Sequence, residues 1–370
     1  MPDSPRTRQK NASAATRLLR WYDANRRTLP WRALSGEVPD PYRVWLSEIM
    51  LQQTTVAAVK SYYQSFLTRW PNVEALADAS LEEVRAAWAG LGYYSRARNL
   101  HRAAQIVAGE HAGRFPSHAD ALRKLPGIGP YTAGAIAAIA FDRPEAAVDA
   151  NAERVIARFF AIEELLPQAK PELRRRTQSL VPPTRAGDFA QALMDLGALI
   201  CTPQRPDCAN CPWADDCRGR AHGIAQTLPR KAAKPDRPLK RGAAFVARNG
   251  SGAVLVEKRP EKGLLGGMLQ PPLGPWTANF PARSDALKQT PFKADWQRRA
   301  GIVRHTFTHF ELEIEVWRAE LVRPGKVQGM WLTSAELAAA ALPTVMRKIL
   351  THAFDDLFPA RVAKQIRDSV

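Results

Sequence analysis

Outside one run of 17 residues the chain has no cysteine: all four lie between Cys201 and Cys217. That distribution argues against a disulfide framework and for a single metal centre. No apolar run approaches the ~20 residues that a membrane-spanning helix needs. The opening MPDSPRTRQKNASAATR is charged but lacks the hydrophobic stretch of a secretory signal. Acidic residues are also in short supply, with 36 Asp and Glu against 53 Lys and Arg, a formal net charge of +17. The excess is spread along the chain, so the folded body is basic and its expected partner is a polyanion, most often nucleic acid. With 370 residues, 45% of them hydrophobic, the chain can bury real cores and is long enough for two domains. The expectation is a cytoplasmic protein that works on DNA, nucleoid-associated if bacterial, with no membrane association.

The stretch Leu125–Asn151, LPGIGPYTAGAIAAIAFDRPEAAVDAN, is the one the rest is arranged around. Gly127 and Gly129 flank Ile128 and suit left-handed or crowded backbone. Pro130 suits the first position of a new helix, and residues 118–124 read as helix, so the unit is helix, glycine hairpin, helix. Backbone N–H groups at such a hairpin suit a phosphate; a tight turn with no ligand explains the same residues.

Upstream, residues 1–12 read as disordered, a helix starts near Ser13, and Leu29–Arg32 forms a turn whose Arg32 is a candidate DNA contact. The next helix, 41–54, sets Glu48 on a face with Val44, Trp45, Leu51 and Gln52. A carboxylate among such neighbours is partly desolvated, which raises its pKa and suits it to donate a proton near neutral pH; a surface Glu at the edge of an apolar stripe is the plainer reading. Gln52–Gln53–Thr54 finishes that helix with amides able to enter a base stack or bond base edges. Gly90–Tyr94 is a glycine turn presenting aromatics beside Arg96 and Arg98, where stacking on bases and a core role compete. Asp149 or Asn151 reads as a helix N-cap.

The cysteines Cys201, Cys208, Cys211 and Cys217 give C-x6-C-x2-C-x5-C. Structural zinc usually shows two separated C-x2-C pairs. One short pair between long spacings better suits a cubane iron–sulfur cluster, with zinc as the alternative.

These pieces together resemble the helix-hairpin-helix DNA glycosylases with an iron–sulfur loop, and within them the adenine-specific mismatch glycosylases. WLSEIMLQQT (45–54), GLGYYSRARNLH (90–101), LPGIGPYTAGAI (125–136), VDAN (148–151), MDLGALICT (194–202) and the cysteine spacing carry the resemblance over most of residues 20–220. It implies that Glu48 protonates the adenine leaving group and that Asp149 stabilises an oxocarbenium-like sugar. Tyr131 and Asn151 would position those carboxylates, Gln53 and Tyr93 would wedge into the stack, and the hairpin Gly127–Ile128–Gly129 would hold a phosphate. The cysteines would ligate a [4Fe-4S] cluster. Related glycosylase/lyases carry a Schiff-base lysine where this chain has Tyr131, so the imine route is not provided. Two departures stand out: Ala150 where the family has Gly, and a longer loop over 33–40.

Residues 226–241, rich in proline and basic side chains, read as an extended linker. Beyond it Asn249–Gly252 is a hairpin signal, and Leu312, Ile314 and Val316 alternate with Glu311, Glu313 and Glu315 as in a half-buried strand. This part resembles the Nudix-like C-terminal domain of the same family without the Nudix catalytic helix. Phe307–Thr308–His309 resembles its lesion-reading loop, with Thr308 in place of Ser; Phe307 as a core residue and Thr308 as a surface threonine is the alternative. The expected fold is an all-α N-terminal helix-hairpin-helix glycosylase domain with an iron–sulfur loop (13–225), a linker (226–241), and an α+β Nudix-like C-terminal domain (242–360). The expected function is monofunctional removal of adenine opposite 8-oxoguanine or guanine in double-stranded DNA, by a monomer. A bifunctional glycosylase/lyase and an inactive damage-binding or redox-sensing protein are the competing readings.

Overall fold

The computed structural model describes residues 5–34, 36–233, 236–322 and 327–358, with the backbone only for 5–10 and 12. The parts of the expected disordered start, the 33–40 loop, the linker and the C-terminal boundary that fall on 1–4, 35, 234–235 and 359–360 lie outside the described residues. The chain forms two compact units. One holds the described residues through Asp78 and from Asn99 to 233; the other holds Ala79–Arg98 and the described residues from 236 onward.

The first unit is helical. Its opening helix, Pro5–Asn25, begins well before Ser13, so residues 5–12 are ordered where disorder was expected. Pro5 suits the first helical turn, and Asn11 ties the segment down by donating to the Ser179 carbonyl at 3.1 Å. Helix Pro41–Leu51 starts on Asp40, whose carboxylate accepts from Tyr42 N at 2.9 Å, with Pro41 in the first turn. It stops at Leu51 rather than at Thr54: Gln52 leaves the helical region and Gln53 turns left-handed, φ 55°. Helix Pro130–Phe141 is apolar on every side and buries Thr132–Ala138, as suits an element packed all round. Helix Ala186–Leu199 lies against it and also against helix Ala150–Phe160. A core of Leu18, Tyr22, Val155, Phe159, Leu193 and Trp213 joins these helices to the opening one.

Residues 226–231, expected to be linker, are docked on this unit. Leu166 N donates to Arg230 O at 2.9 Å, and the buried Arg158 donates to Leu228 O at 3.1 Å. The tract's far end, from Leu239, is already strand.

The second unit is built on a mixed sheet. Its strands are β1 (Leu239–Asn249), β2 (Val254–Lys258), β3 (Leu269–Gln270), β4 (Gln297–Arg298), β5 (Val303–Thr306), β6 (Glu311–Leu321) and β7 (Met330–Leu332), in the order β3-β2-β1-β6-β4, with β5 on β6 and β7 on β2. The long parallel pair β1–β6 runs in register from Leu239↔Glu311 to Asn249↔Leu321. Alternation sends Ala244, Val246, Ile314 and Val316 to one face, covered by helix Thr344–Ala353. Phe245, Trp317 and Ala319 face the other way, onto Trp296. Helix Leu81–Trp88 belongs to this unit although the sequence places it inside the helical domain. Its Arg85, 2% exposed, pairs with Glu261 at 2.5 Å, and Glu82 pairs with Lys258 at 3.0 Å.

Candidate active site

In the first unit, helices Pro41–Leu51 and Pro130–Phe141 meet so that the Tyr131 hydroxyl donates to Glu48 Oε2 at 2.7 Å. Glu48 is 5% exposed. Burial pushes its carboxyl up to about 7; the Asp149 carboxylate adds to the rise, while the Tyr131 bond and the Arg32 charge oppose it. Burial also lifts the Tyr131 phenol well above its ordinary value, with both carboxylates reinforcing the effect, so it stays a neutral donor.

Asp149 caps helix Ala150–Phe160, accepting from Ala152 N at 2.7 Å and from Asn151 Nδ2 at 2.9 Å. Burial raises its carboxyl, and those two bonds restrain the rise. Capping and a place in the site are therefore one geometry. Ala150 is the first residue of the helix and is absent from the described left-handed positions, so alanine fits there as well as glycine would. Asn151 is held in turn by Arg154, which donates to its Oδ1 at 2.9 Å, to Gly197 O at 2.7 Å and to Cys201 O at 2.7 Å.

A cavity beside Glu48 is lined by Trp31, Arg32, Leu51, Ile139, Gln191 and Met194. Arg32, expected to contact DNA, is buried instead and forms a two-pronged pair with Asp195 at 2.6 and 2.8 Å. Sequence reasoning missed Asp195 and Arg154. The available signal for Asp195 was a lone carboxylate inside the apolar run Phe189–Ile200, which needs a buried cation.

At the hairpin, Gly127 has φ +81° and a side chain there would press on Asn99, whereas Gly129 has ordinary extended backbone facing open space. Only the first glycine is needed for its left-handed angle; the second leaves room at the helix start. Ile128 is buried and anchors the turn. Gln52 spends its amide on Thr132 Oγ1 at 3.1 Å, while Gln53 is exposed.

In the second unit, Tyr93 is 43% exposed and left-handed, φ 47°, and Tyr94 is buried, which separates the surface tyrosine from the core one. The Tyr93 hydroxyl lies 2.8 Å from Thr308 Oγ1. Thr308 and His309 are exposed just past β5, while Phe307 stacks on Phe310 at 4.7 Å and packs near Trp276. Phe307 thus holds the loop to the aromatic cluster and leaves its neighbours outward.

The four cysteines line one cavity of the first unit together with Arg158 and Arg220. Burial pushes Cys211 up to about 12 and raises Cys217, so these thiols need a cation to become thiolates. Arg158 donates to Cys201 Sγ at 3.3 Å, adding positive charge at the rim. The donor set fits a metal cluster.

Residues 46–183 match the model of the HhH-GPD superfamily of base excision DNA repair proteins. The chain is 39% identical to the adenine DNA glycosylase of Homo sapiens, over 90% of its own length and 72% of the human protein. It is 32% identical to that of Buchnera aphidicola subsp. Schizaphis graminum, over 90% and 96% of the two chains. The chain belongs to the adenine DNA glycosylase family. Residues 201–217 match the iron-sulfur binding domain of endonuclease III, so the cofactor of this glycosylase is a [4Fe-4S] cluster, and the four cysteines are the only thiols there. Residues 243–352 match the NUDIX domain. Among solved structures, a thermostable thymine-DNA glycosylase superposes on 58% of this chain and 98% of its own, with TM-score 0.52 and 32% identity. No helix among the described residues is long and apolar enough to cross a membrane.

Proposed function

We propose that this glycosylase hydrolyses the N-glycosidic bond of adenine mispaired with 8-oxoguanine or guanine and leaves an abasic site. The observation that carries the reading is the buried Glu48 bonded to Tyr131, with its carboxyl raised to about 7. A group so poised is protonated in a large share of molecules at neutral pH and still gives its proton up. Glu48 donates that proton to the departing adenine. The bond electrons leave with the base, and Asp149 stabilises the positive sugar until water adds and loses a proton. Tyr131 holds Glu48 in place, and Asn151 with Ala152 N holds Asp149.

The glycosidic bond is unreachable inside a duplex, so the adenine must leave the stack. Gln53 and Tyr93 are the candidate wedges, both non-glycine residues in left-handed backbone that turns a polar or aromatic side chain outward. The hairpin Gly127–Ile128–Gly129 holds a backbone phosphate at the start of helix Pro130–Phe141. Thr308 reads the opposite base: 8-oxoguanine carries a carbonyl at C8 and a donor at N7, and an exposed hydroxyl can serve either. A cluster held by Cys201, Cys208, Cys211 and Cys217 would order a loop whose Arg205, Arg218 and Arg220 supply the positive charge that suits DNA phosphates. The enzyme acts as a monomer on chromosomal DNA in the cytoplasm or nucleoid.

The test is a duplex with one adenine opposite 8-oxoguanine or guanine, assayed with and without alkali. Release of adenine from both, faster opposite 8-oxoguanine, is expected; intact adenine in both would overturn the proposal.

A further inference from the structure

We propose that Asp195 is a positioning residue for base excision: it pins Arg32 to the wall of the cavity beside Glu48 and offsets that guanidinium's charge next to the acid. The inference rests on Glu48 as proton donor. Asp195 is fully buried on helix Ala186–Leu199, and its carboxylate is surrounded by donors. Arg27 N lies at 3.1 Å, Arg27 Nε at 2.5 Å, and the two terminal nitrogens of Arg32 at 2.6 and 2.8 Å. Burial alone would raise this acid; the two arginines outweigh it and keep it ionised.

The location is what separates this pair from a plain structural brace. Arg27, Arg32 and Glu48 line one cavity, and the helix that carries Asp195 also supplies Gln191 and Met194 to the cavity wall, one turn and one residue before the anchor. Arg32 further donates to Arg27 O at 3.2 Å and lies 5.9 Å from the Tyr22 ring centre, so its head is fixed from three sides. The titratable groups around Glu48 are Tyr131 on its own helix-hairpin partner, Asp149 at the start of helix Ala150–Phe160, and Arg32 with Arg27 behind the opening helix. Tyr22 stands beside Arg32 rather than Glu48. With Asp195 ionised, two guanidinium charges share one carboxylate. Without it the cavity wall carries two uncompensated positive charges, which favour loss of the Glu48 proton.

The test is the pH profile of single-turnover adenine release by the full-length protein, from about pH 5 to about pH 9, the span around an acid poised near neutrality. In Asp195→Asn the descending limb should move to lower pH by about one unit, which makes release about tenfold slower above neutrality and nearer wild type on the acid side. Asp195→Glu keeps the charge and should leave the limb in place. Arg32→Gln should move it to higher pH, and this variant carries the test if Asp195→Asn does not fold. A uniform loss at every pH with an unmoved limb in Asp195→Asn, or in Arg32→Gln, would show a brace only and overturn the proposal. A wild-type profile with no limb assignable to Glu48 would instead overturn the proton-donor reading, and this inference with it.

Discussion

The Tyr131 hydroxyl and Glu48 Oε2, 2.7 Å apart, tie the helix after the glycine hairpin to the helix that ends at Leu51. On the proposed mechanism, Tyr131 orients the acid from the position where the resemblance to glycosylase/lyases implies an amine.

The first prediction concerns that acid. Glu48→Gln is nearly isosteric but has no acidic proton. It should bind the mispaired duplex as wild type does and lose at least ~100-fold in base release, the lower end for a lost general acid. Near-normal release in a single-turnover assay would remove Glu48 from the mechanism.

A second concerns pH. Glu48 must hold its proton to give it away, so release by the wild type should fall as pH rises through about 7. The Tyr131 bond lowers the Glu48 carboxyl, so in Tyr131→Phe the falling limb should shift to higher pH. A shift in the opposite direction would contradict the geometry.

Strand cleavage is the third. With a phenol at residue 131 there is no imine route, so nicked product should appear only after alkali or heat. A borohydride-trapped complex formed at the rate of base release would refute this.

Packing behind the site supplies a fourth. A side chain on Gly197 would stand 2.6 Å from Asn151 Cβ and 3.1 Å from its Cα. Gly197→Ala must push on the first turn of the helix that Asp149 caps. Overpacking of this kind costs about 1–3 kcal/mol, and a lowered melting temperature with slower release and unchanged iron content is the expected result. Wild-type stability and rate would mean that the first turn yields freely.

The cluster gives the last. Protein purified without oxygen should be brown and hold about four irons per chain, the stoichiometry of a cubane. Cys211→Ser should lose iron and DNA affinity together; zinc in place of iron would sink the assignment.

Much of this was legible in the sequence because the informative residues are locally constrained. Gly127 needs its positive φ, Pro41 and Pro130 each open a helix, and the alternation Leu312–Val316 marks a strand with one face on a core. What stayed hidden depends on partners far away in the chain. Arg32 reads as a candidate DNA contact until the buried Asp195, 163 residues on, pairs with it. Residues 226–231 read as linker because nothing local shows the bond from Leu166 to Arg230. Glu48 was found on its helical face, but its raised carboxyl depends on burial and on the Asp149 carboxylate, and the Tyr131 bond that restrains the rise is likewise made only by the fold.

The pairing of Arg85 with Glu261 also sets an order of events during synthesis. The two residues stand 176 positions apart, and at ordinary rates of translation Glu261 follows Arg85 by roughly 10–35 s. Throughout that interval helix Leu81–Trp88 has its own capping box, Ser80 with Glu83, but not the carboxylate that its arginine needs for burial. The second unit is therefore completed only after synthesis has passed the strands that close it, and Tyr93 reaches Thr308 on the same late schedule. A ribosome stalled between the two segments would hold the helix that carries Arg85 with its guanidinium still in water.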